Sequence, residues 1–210
     1  MAKPSVGAMK KLKKVVRYLK GAPRYALKYA YEEKPEGLSG WADTDFAGCQ
    51  VSRKSTSGGI IMQGKHVIKS WSTNQAVVAL SSGEAECYGL VKAASVALGI
   101  RCIGEDLGMR FLGKICIRAD ASAAIGIANR VGIGKVRHIE VNQLWLQEKV
   151  YEGKMEIVKV RSEENMADAL TKALDSKGIR SHVEGIGAEV RMGRHPLAPK
   201  LSAEDEALEE

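Results

Sequence analysis

Four acidic residues occupy positions from which a carboxylate can take part in chemistry: Asp43, Glu86, Asp120 and Asp168. The first lies inside residues 38–48, where the alternation of residue types is typical of a β-strand. Removing a charge from water is costly unless the charge is paired or bound to a metal ion. A carboxylate within a strand therefore indicates either a solvated edge strand or a functional site. Asp45 shares the strand face of Asp43, so periodicity alone does not separate the two aspartates.

Glu86 falls within the first turns of a helix that is predicted to run from Ser81 to about Leu107. Ser81 and Glu84 have the spacing of a capping box, in which each side chain accepts a backbone N–H of the other residue. Acidic residues are favoured near a helix N-terminus by the helix dipole. Taken singly, Glu86 is thus an ordinary first-turn residue.

Asp120 directly follows a β-prone segment, residues 114–119, and precedes an alanine-rich helix. It is either an N-cap or a binding residue, because ligands bind at the carboxyl ends of strands in α/β sheets. Asp168 lies in a helix predicted over residues 163–174, with Ser162 as its cap. An aspartate in the middle of a helix is usually a surface residue.

The elements that must position these acids follow one another in the order βββαβααβα. The first strand is followed by a predicted hairpin of strands at 58–62 and 67–71. Periodicity then predicts, in chain order, helix 81–107, strand 114–119, helices 121–129 and 139–151, strand 155–160 and helix 163–174. This order predicts an α/β fold: a five-stranded mixed sheet, its first three strands an antiparallel meander, flanked by helices.

Three parts are expected along the chain. Residues 1–37 hold a basic amphipathic helix at 8–19 followed by a linker, and residues 38–174 form the α/β domain. Glycine and proline interrupt every period in residues 175–210, so this tail is expected to be irregular, with an acidic end that is disordered.

The composition is that of a globular protein with a basic surface. Hydrophobic residues make up 45% of the 210 residues, and the formal net charge is +7. The sequence has no unbroken run of about 18 apolar residues, so no membrane partner is expected. The lysine-rich start lacks an apolar secretory core, which favours an intracellular location, and the four cysteines lack Cys-x-x-Cys spacing, which favours buried thiols. The basic charge fits either a nucleic-acid partner or solvated helix faces.

Together, the four acids predict a metal site. If strands 38–48 and 114–119 are neighbours, Asp43 and Asp120 emerge side by side, and the helices can bring the other two acids over the same point. Carboxylates without His or Cys select Mg²⁺ or Mn²⁺ over zinc. Two such ions, about 4 Å apart, activate water and stabilise the leaving oxygen in phosphodiester hydrolysis.

Six segments carry a family resemblance: WADTDFAG, SRKSTSGGIIMQGKHVIKSWSTNQ, LSSGEAECYGL, IRADASAAIGIA, KVRHIEVNQLWLQEKV and ENMADALTKAL. In this order they resemble the ribonuclease H domain of the copia-type LTR-retrotransposon Pol polyprotein, over most of residues 38–174. RYLKGAP, within residues 9–25, resembles the segment that joins reverse transcriptase to ribonuclease H. The chain is therefore expected to be a fragment of a larger polyprotein.

The resemblance implies a set of metal ligands. Asp43 would bridge two Mg²⁺ or Mn²⁺ ions, Glu86 and Asp120 would complete one ion site, and Asp168 would complete the other. Asp45 has no such role in the family pattern. Some ribonucleases H also have a His-bearing loop before the last helix, and VRSEEN at residues 160–165 has no His. Copia-type domains also lack this His, so the difference does not argue against activity.

The implied activity is hydrolysis of the RNA strand of RNA–DNA hybrids during reverse transcription. The implied partners are the hybrid and the reverse transcriptase region of the same polyprotein. Charge and position near predicted turns make these residues candidates for contacts to the nucleic-acid backbone: Arg53, Lys54, Lys135 and Arg137. His138 is either a hydrogen-bonded residue near a helix start or a further substrate contact. The expected location is a cytoplasmic virus-like particle, or the nucleus for a domesticated copy.

Two other functions are compatible with this fold class. A catalytically silent module would keep the fold and bind nucleic acid, although the intact acid quartet argues against a decayed copy. An integrase-like enzyme would also use two metal ions. The strand hairpin followed by the helix with Glu86 favours ribonuclease H, because the integrase-like arrangement places its glutamate on a late helix.

Overall fold

A computed structural model of the chain describes residues 5–31, 33, 37–111, 113–132, 141–193, 195 and 197. The helices are α1 Val6–Gly21, α2 Ser82–Asp106, α3 Ser122–Ala128, α4 Val141–Tyr151 and α5 Ser176–Gly185. The strands are β1 Arg24–Leu27, β2 Leu38–Asp45, β3 Thr56–Gln63, β4 His66–Asn74, β5 Ile115–Ala119, β6 Met155–Lys159 and β7 Ala188–Arg191.

The chain divides into two compact units. The larger unit spans Lys28–Gly187, and the smaller unit contains α1, β1 and β7. In the smaller unit β1 and β7 pair antiparallel, with Leu27 opposite Ala188. The α1 helix begins at Ser5, whose hydroxyl accepts the Ala8 N–H, and none of its residues is buried.

The larger unit contains the predicted five-stranded mixed sheet, in the order β4-β3-β2-β5-β6. Strands β2, β3 and β4 form an antiparallel meander, whereas β5 runs parallel to β2 and β6 runs parallel to β5. The expected fold class is therefore confirmed. It makes β2 and β5 neighbours, so the residues at their carboxyl ends lie at the same edge of the sheet.

Helix α2 packs on the sheet through small and apolar residues: Cys87, Leu90, Ala93, Ala94 and Ala97 join the core cluster that includes Ala42, Ile61 and Ile117. The approach is close at Gly89, because a Cβ there would lie 2.5 Å from Thr44 Oγ1. By length and composition alone, α2 is long and apolar enough to cross a membrane. The sequence pattern did not predict this, because the chain has no unbroken run of about 18 apolar residues. Its buried face instead forms the core of this unit.

The predicted helix at 163–174 is wrong. This segment contains two short 3₁₀ turns, Ser162–Glu164 and Asp168–Leu170. Between them the buried side chain of Asn165 donates to the Ala42 carbonyl and accepts the Ala167 N–H. Such side-chain bonds to the backbone compete with helical ones, and here they fix the segment to β2.

The segment after residue 174 also differs from the irregular tail that was expected. Asp175 caps α5 by accepting the Gly178 N–H, and β7 pairs with β1 from the opposite end of the chain. Pairing between such distant segments leaves no local periodic signal. The expected boundaries at residues 37 and 174 stay a prediction.

Candidate metal centre

Three of the four predicted acids meet at the sheet edge. One carboxylate oxygen from each of Asp43, Glu86 and Asp120 lies within 4.8 Å of the other two. Asp43 is near the end of β2, Asp120 follows β5 directly, and Glu86 projects from the second turn of α2. Three carboxylates at this spacing, without a nitrogen or sulfur ligand, form a donor set that suits a hard divalent cation.

Asp43 is the buried centre of this cluster, with a relative exposure of 1%. Its Oδ2 accepts a hydrogen bond from the Thr171 hydroxyl, and its Oδ1 lies 3.3 Å from Lys172 Nζ. The same ammonium lies 3.0 Å from Asp168 Oδ1. Asp168 is thus joined to the cluster through Lys172, and it is not one of the three acids whose oxygens lie within 4.8 Å.

The position of Asp168 depends on its neighbours in the 3₁₀ segment. Asn165 Nδ2 donates to the Ala42 carbonyl at 3.0 Å, and its Oδ1 accepts the Ala167 N–H at 3.1 Å. Ala42 and Ala167 immediately precede Asp43 and Asp168. One buried amide therefore sets the spacing between the two acidic segments.

Burial and neighbouring charges raise the pKa of two of these acids, Glu86 and Asp168. Burial, assisted by the charges of Asp43 and Asp120, raises the pKa of Glu86 to about 8, although Lys172 acts in the opposite direction. Burial is also the main cause of the raised pKa of Asp168, which Lys172 partly offsets by a hydrogen bond. Glu86 therefore retains its proton at neutral pH, and a cation bound beside it would displace that proton.

The start of α2 holds Glu86 in place. Ser81 Oγ accepts the Glu84 N–H at 3.2 Å, as the capping-box spacing predicts. Glu84 reaches back to the Leu80 N–H at 2.7 Å, one residue before the one expected. Its other oxygen accepts the Tyr88 hydroxyl at 3.2 Å. The cap is therefore fixed on both sides of the helix start.

Two alternatives from the sequence are resolved by these contacts. Asp45 Oδ1 accepts the Gly48 N–H at 3.0 Å and so closes the turn after β2. Asp120 is not an N-cap, because α3 is capped at Ala121 without a side-chain bond. Instead Asp120 Oδ2 accepts the hydroxyl of Ser162.

The candidate nucleic-acid contacts are only partly described. Arg53 and Lys54 lie in the loop between β2 and β3, where Arg53 is exposed and has a φ of 57°. Lys135, Arg137 and His138 lie outside the described residues.

Sequence reasoning missed the roles of three residues: Asn165, Thr171 and Lys172. The spacing of four between Asp168 and Lys172 was a signal for an ion pair. Nothing local indicated that the Thr171 hydroxyl and the Lys172 ammonium would lie beside Asp43.

No family model matches the chain. The transposon RE1 Pol polyprotein of Arabidopsis thaliana is 29% identical over 188 residues, which is 89% of this chain and 13% of the relative. The transposon TNT 1-94 Pol polyprotein of Nicotiana tabacum is 28% identical over 164 residues, or 78% of this chain and 12% of the relative. The chain thus spans about an eighth of the length of these relatives.

Solved structures that align with part of this chain include ribonuclease H proteins. LC11-RNase H1, isolated from compost, is 16% identical, with a TM-score of 0.45 over 70% of this chain and 99% of the other. The N-terminal RNase H domain of Rv2228c from Mycobacterium tuberculosis is 16% identical, with a TM-score of 0.43 over 70% and 96%. The sequence relatives confirm the predicted resemblance: the homologues of this chain are retrovirus-related Pol polyproteins from transposons.

Proposed function

We propose that the larger unit is a metal-dependent endonuclease that hydrolyses the RNA strand of RNA–DNA hybrids, as part of a longer Pol polyprotein. The observation that carries this proposal is the meeting of Asp43, Glu86 and Asp120 within 4.8 Å at one edge of the sheet. The relatives named as Pol polyproteins support the context. The working partner within that polyprotein would be its reverse transcriptase region.

The four acids would together hold two cations. Asp43 would bind both ions, Glu86 and Asp120 would complete one ion site, and Asp168 would complete the other. When bound, Mg²⁺ or Mn²⁺ supplies the positive charge that activates water and stabilises the leaving oxygen. The protein contributes closely spaced carboxylates, and it buries that of Asp43 almost completely.

The substrate is recognised by shape and charge. The 2′-hydroxyls of the RNA strand distinguish a hybrid from duplex DNA. Arg53 and Lys54, in the loop between β2 and β3, would contact the phosphate backbone. By their charge and sequence position, Lys135, Arg137 and His138 are further candidates for such contacts. The proposed location is the cytoplasmic particle in which reverse transcription takes place, with the nucleus as the location for a domesticated copy.

The test is cleavage of a labelled RNA–DNA hybrid by the purified full chain in Mg²⁺ and in Mn²⁺. Asp43→Asn and Asp120→Asn should abolish cleavage, because each removes a ligand charge. Asp45→Asn is the matched control: it lies on the same strand, and an asparagine keeps the acceptor for the Gly48 N–H. Salt-dependent hybrid binding without cleavage would favour the silent binding module, and cleavage of duplex DNA instead would favour an integrase-like enzyme.

A further inference from the structure

Lys172 brings a positive charge to the centre of the acidic site. Its Nζ lies 3.3 Å from Asp43 Oδ1 and 3.0 Å from Asp168 Oδ1. The Asp43 side chain is 1% exposed, whereas that of Lys172 is 43% exposed. The ammonium therefore reaches a buried carboxylate while much of the lysine side chain remains in water.

Asp43 takes part in two different groupings of the acids. Asp43, Glu86 and Asp120 present oxygens close enough to share one cation. Asp168 instead shares the Lys172 ammonium with Asp43. An ammonium and a divalent ion both seek carboxylate oxygens, so they compete for the same two side chains.

We propose that Lys172 holds, in the ion-free protein, the position between Asp43 and Asp168 that a second divalent cation would take. This inference rests on the proposed function. The first cation binds at Asp43, Glu86 and Asp120 with Lys172 in place. The second binds only when Lys172 swings away, which its exposed, flexible stem permits, and it is therefore the weaker of the two.

The hydrogen bond from Thr171 to Asp43 supports the proposed exchange of Lys172 for a cation. The Thr171 hydroxyl holds Asp43 Oδ2, so Asp43 keeps a hydrogen-bond partner when the ammonium leaves. Asp168 keeps its place because Asn165 anchors its turn to β2. Neutral side chains thus hold Asp43 and the turn of Asp168, and the contacts that must exchange are the two that the Lys172 ammonium makes.

The experiment is isothermal titration calorimetry of the full chain with Mn²⁺, which compares the ion affinities of wild type and Lys172→Gln. The affinity of the second ion should rise by at least roughly tenfold in the variant, because unit charges at this separation interact appreciably even in water. Lys177→Gln is the matched control, since Lys177 is exposed and lines the same cavity as Asp168. It should leave both affinities unchanged. An unchanged or weaker second site in Lys172→Gln would overturn the inference.

Two further variants locate the effect. Lys172→Arg keeps the charge and should keep the second ion weak. Adding Asp168→Asn to Lys172→Gln should abolish the gain, and a gain that persists would mean that the ion does not replace the lysine.

Circular dichroism distinguishes a variant that does not fold from a folded variant whose ion binding is unchanged. If Lys172→Gln does not fold without ions, saturating Mn²⁺ should restore the wild-type spectrum, and failure to do so would overturn the inference. A wild-type chain that binds no ion would overturn the proposed metal site as well. One tight ion in wild type with no change in Lys172→Gln would overturn only the role of the lysine.

Discussion

Asn165 offers the sharpest test of how the fold builds the site. It is 4% exposed, and its amide joins the Ala42 carbonyl at 3.0 Å to the Ala167 N–H at 3.1 Å. Replacing it with alanine removes both hydrogen bonds and leaves two backbone groups without this side-chain partner in a buried region. The segments that carry Asp43 and Asp168 would then lose this link between their backbones, although the contacts of Thr171 and Lys172 with Asp43 would remain.

The magnitude follows from these contacts. A hydrogen bond contributes about 1 kcal/mol net, and a buried group left unsatisfied costs roughly 1–3 kcal/mol. Asn165→Ala should therefore lower the free energy of unfolding by about 2–4 kcal/mol. Because a displacement of about 1 Å can cost about 100-fold in rate, hybrid cleavage should fall by up to that factor even where the variant is folded.

The assay is urea unfolding followed by far-UV circular dichroism, with Asn74→Ala as the matched control. Asn74 is exposed and accepts the Thr56 hydroxyl at 3.1 Å, so its replacement should change stability by no more than about 0.5 kcal/mol. Equal effects of the two substitutions, or a loss below about 1 kcal/mol for Asn165→Ala, would refute the proposed anchoring role.

Three further predictions concern Glu86 and the helix that carries it. The pKa of Glu86 is raised to about 8 from an ordinary value of 4.5, so its contribution to stability is present below pH 4.5 and is lost as the pH rises through 8. Glu86→Gln should remove that loss in pH-dependent urea unfolding, and Mn²⁺ titrations of wild type at pH 7 in two buffers should detect proton release. Gly89→Ala should destabilise the protein by about 1–3 kcal/mol, because the new Cβ would lie 2.5 Å from Thr44 Oγ1. Gly99→Ala, in open space on the same helix, should instead stabilise it by about 0.5–1 kcal/mol. Thermal unfolding measures both changes, and changes of the same sign would contradict the packing argument. Ser81→Ala should cost about 1 kcal/mol through loss of the N-cap, measured in the same way, and no loss would mean that Glu84 alone caps the helix.

The sheet was predictable because its strands carry strong local signals. The alternation in β2, the hairpin of β3 and β4 and the capping residues of α2 all lie within short windows of sequence. The role of Asp45 in a turn also had a local signal, which an analysis of periodicity alone does not detect. Its carboxylate is three residues before Gly48, the spacing at which an aspartate closes a turn on its own backbone.

The rest of the site depends on contacts between distant segments. Residues 163–174 have apolar residues at helical spacing, and this spacing is equally compatible with the two 3₁₀ turns that pack Met166 and Leu170 against the sheet. The choice between them is made by Asn165 bonding to Ala42, 123 positions earlier. The pairing of β1 with β7 is similarly invisible to any window of sequence.

The burial of Asp43 connects the stability of the fold to its proposed chemistry. Its carboxylate lies where water cannot solvate it, and the chain supplies compensation through Thr171 and Lys172, 128 and 129 positions later. A hydroxyl and an ammonium thus compensate the buried carboxylate from within the chain. Under the proposed exchange, the ammonium also occupies the Asp43 oxygen that a second cation would need. The two demands are compatible because the ammonium is carried by a half-exposed, flexible side chain, whereas the anchor of the acidic turn is the buried amide of Asn165.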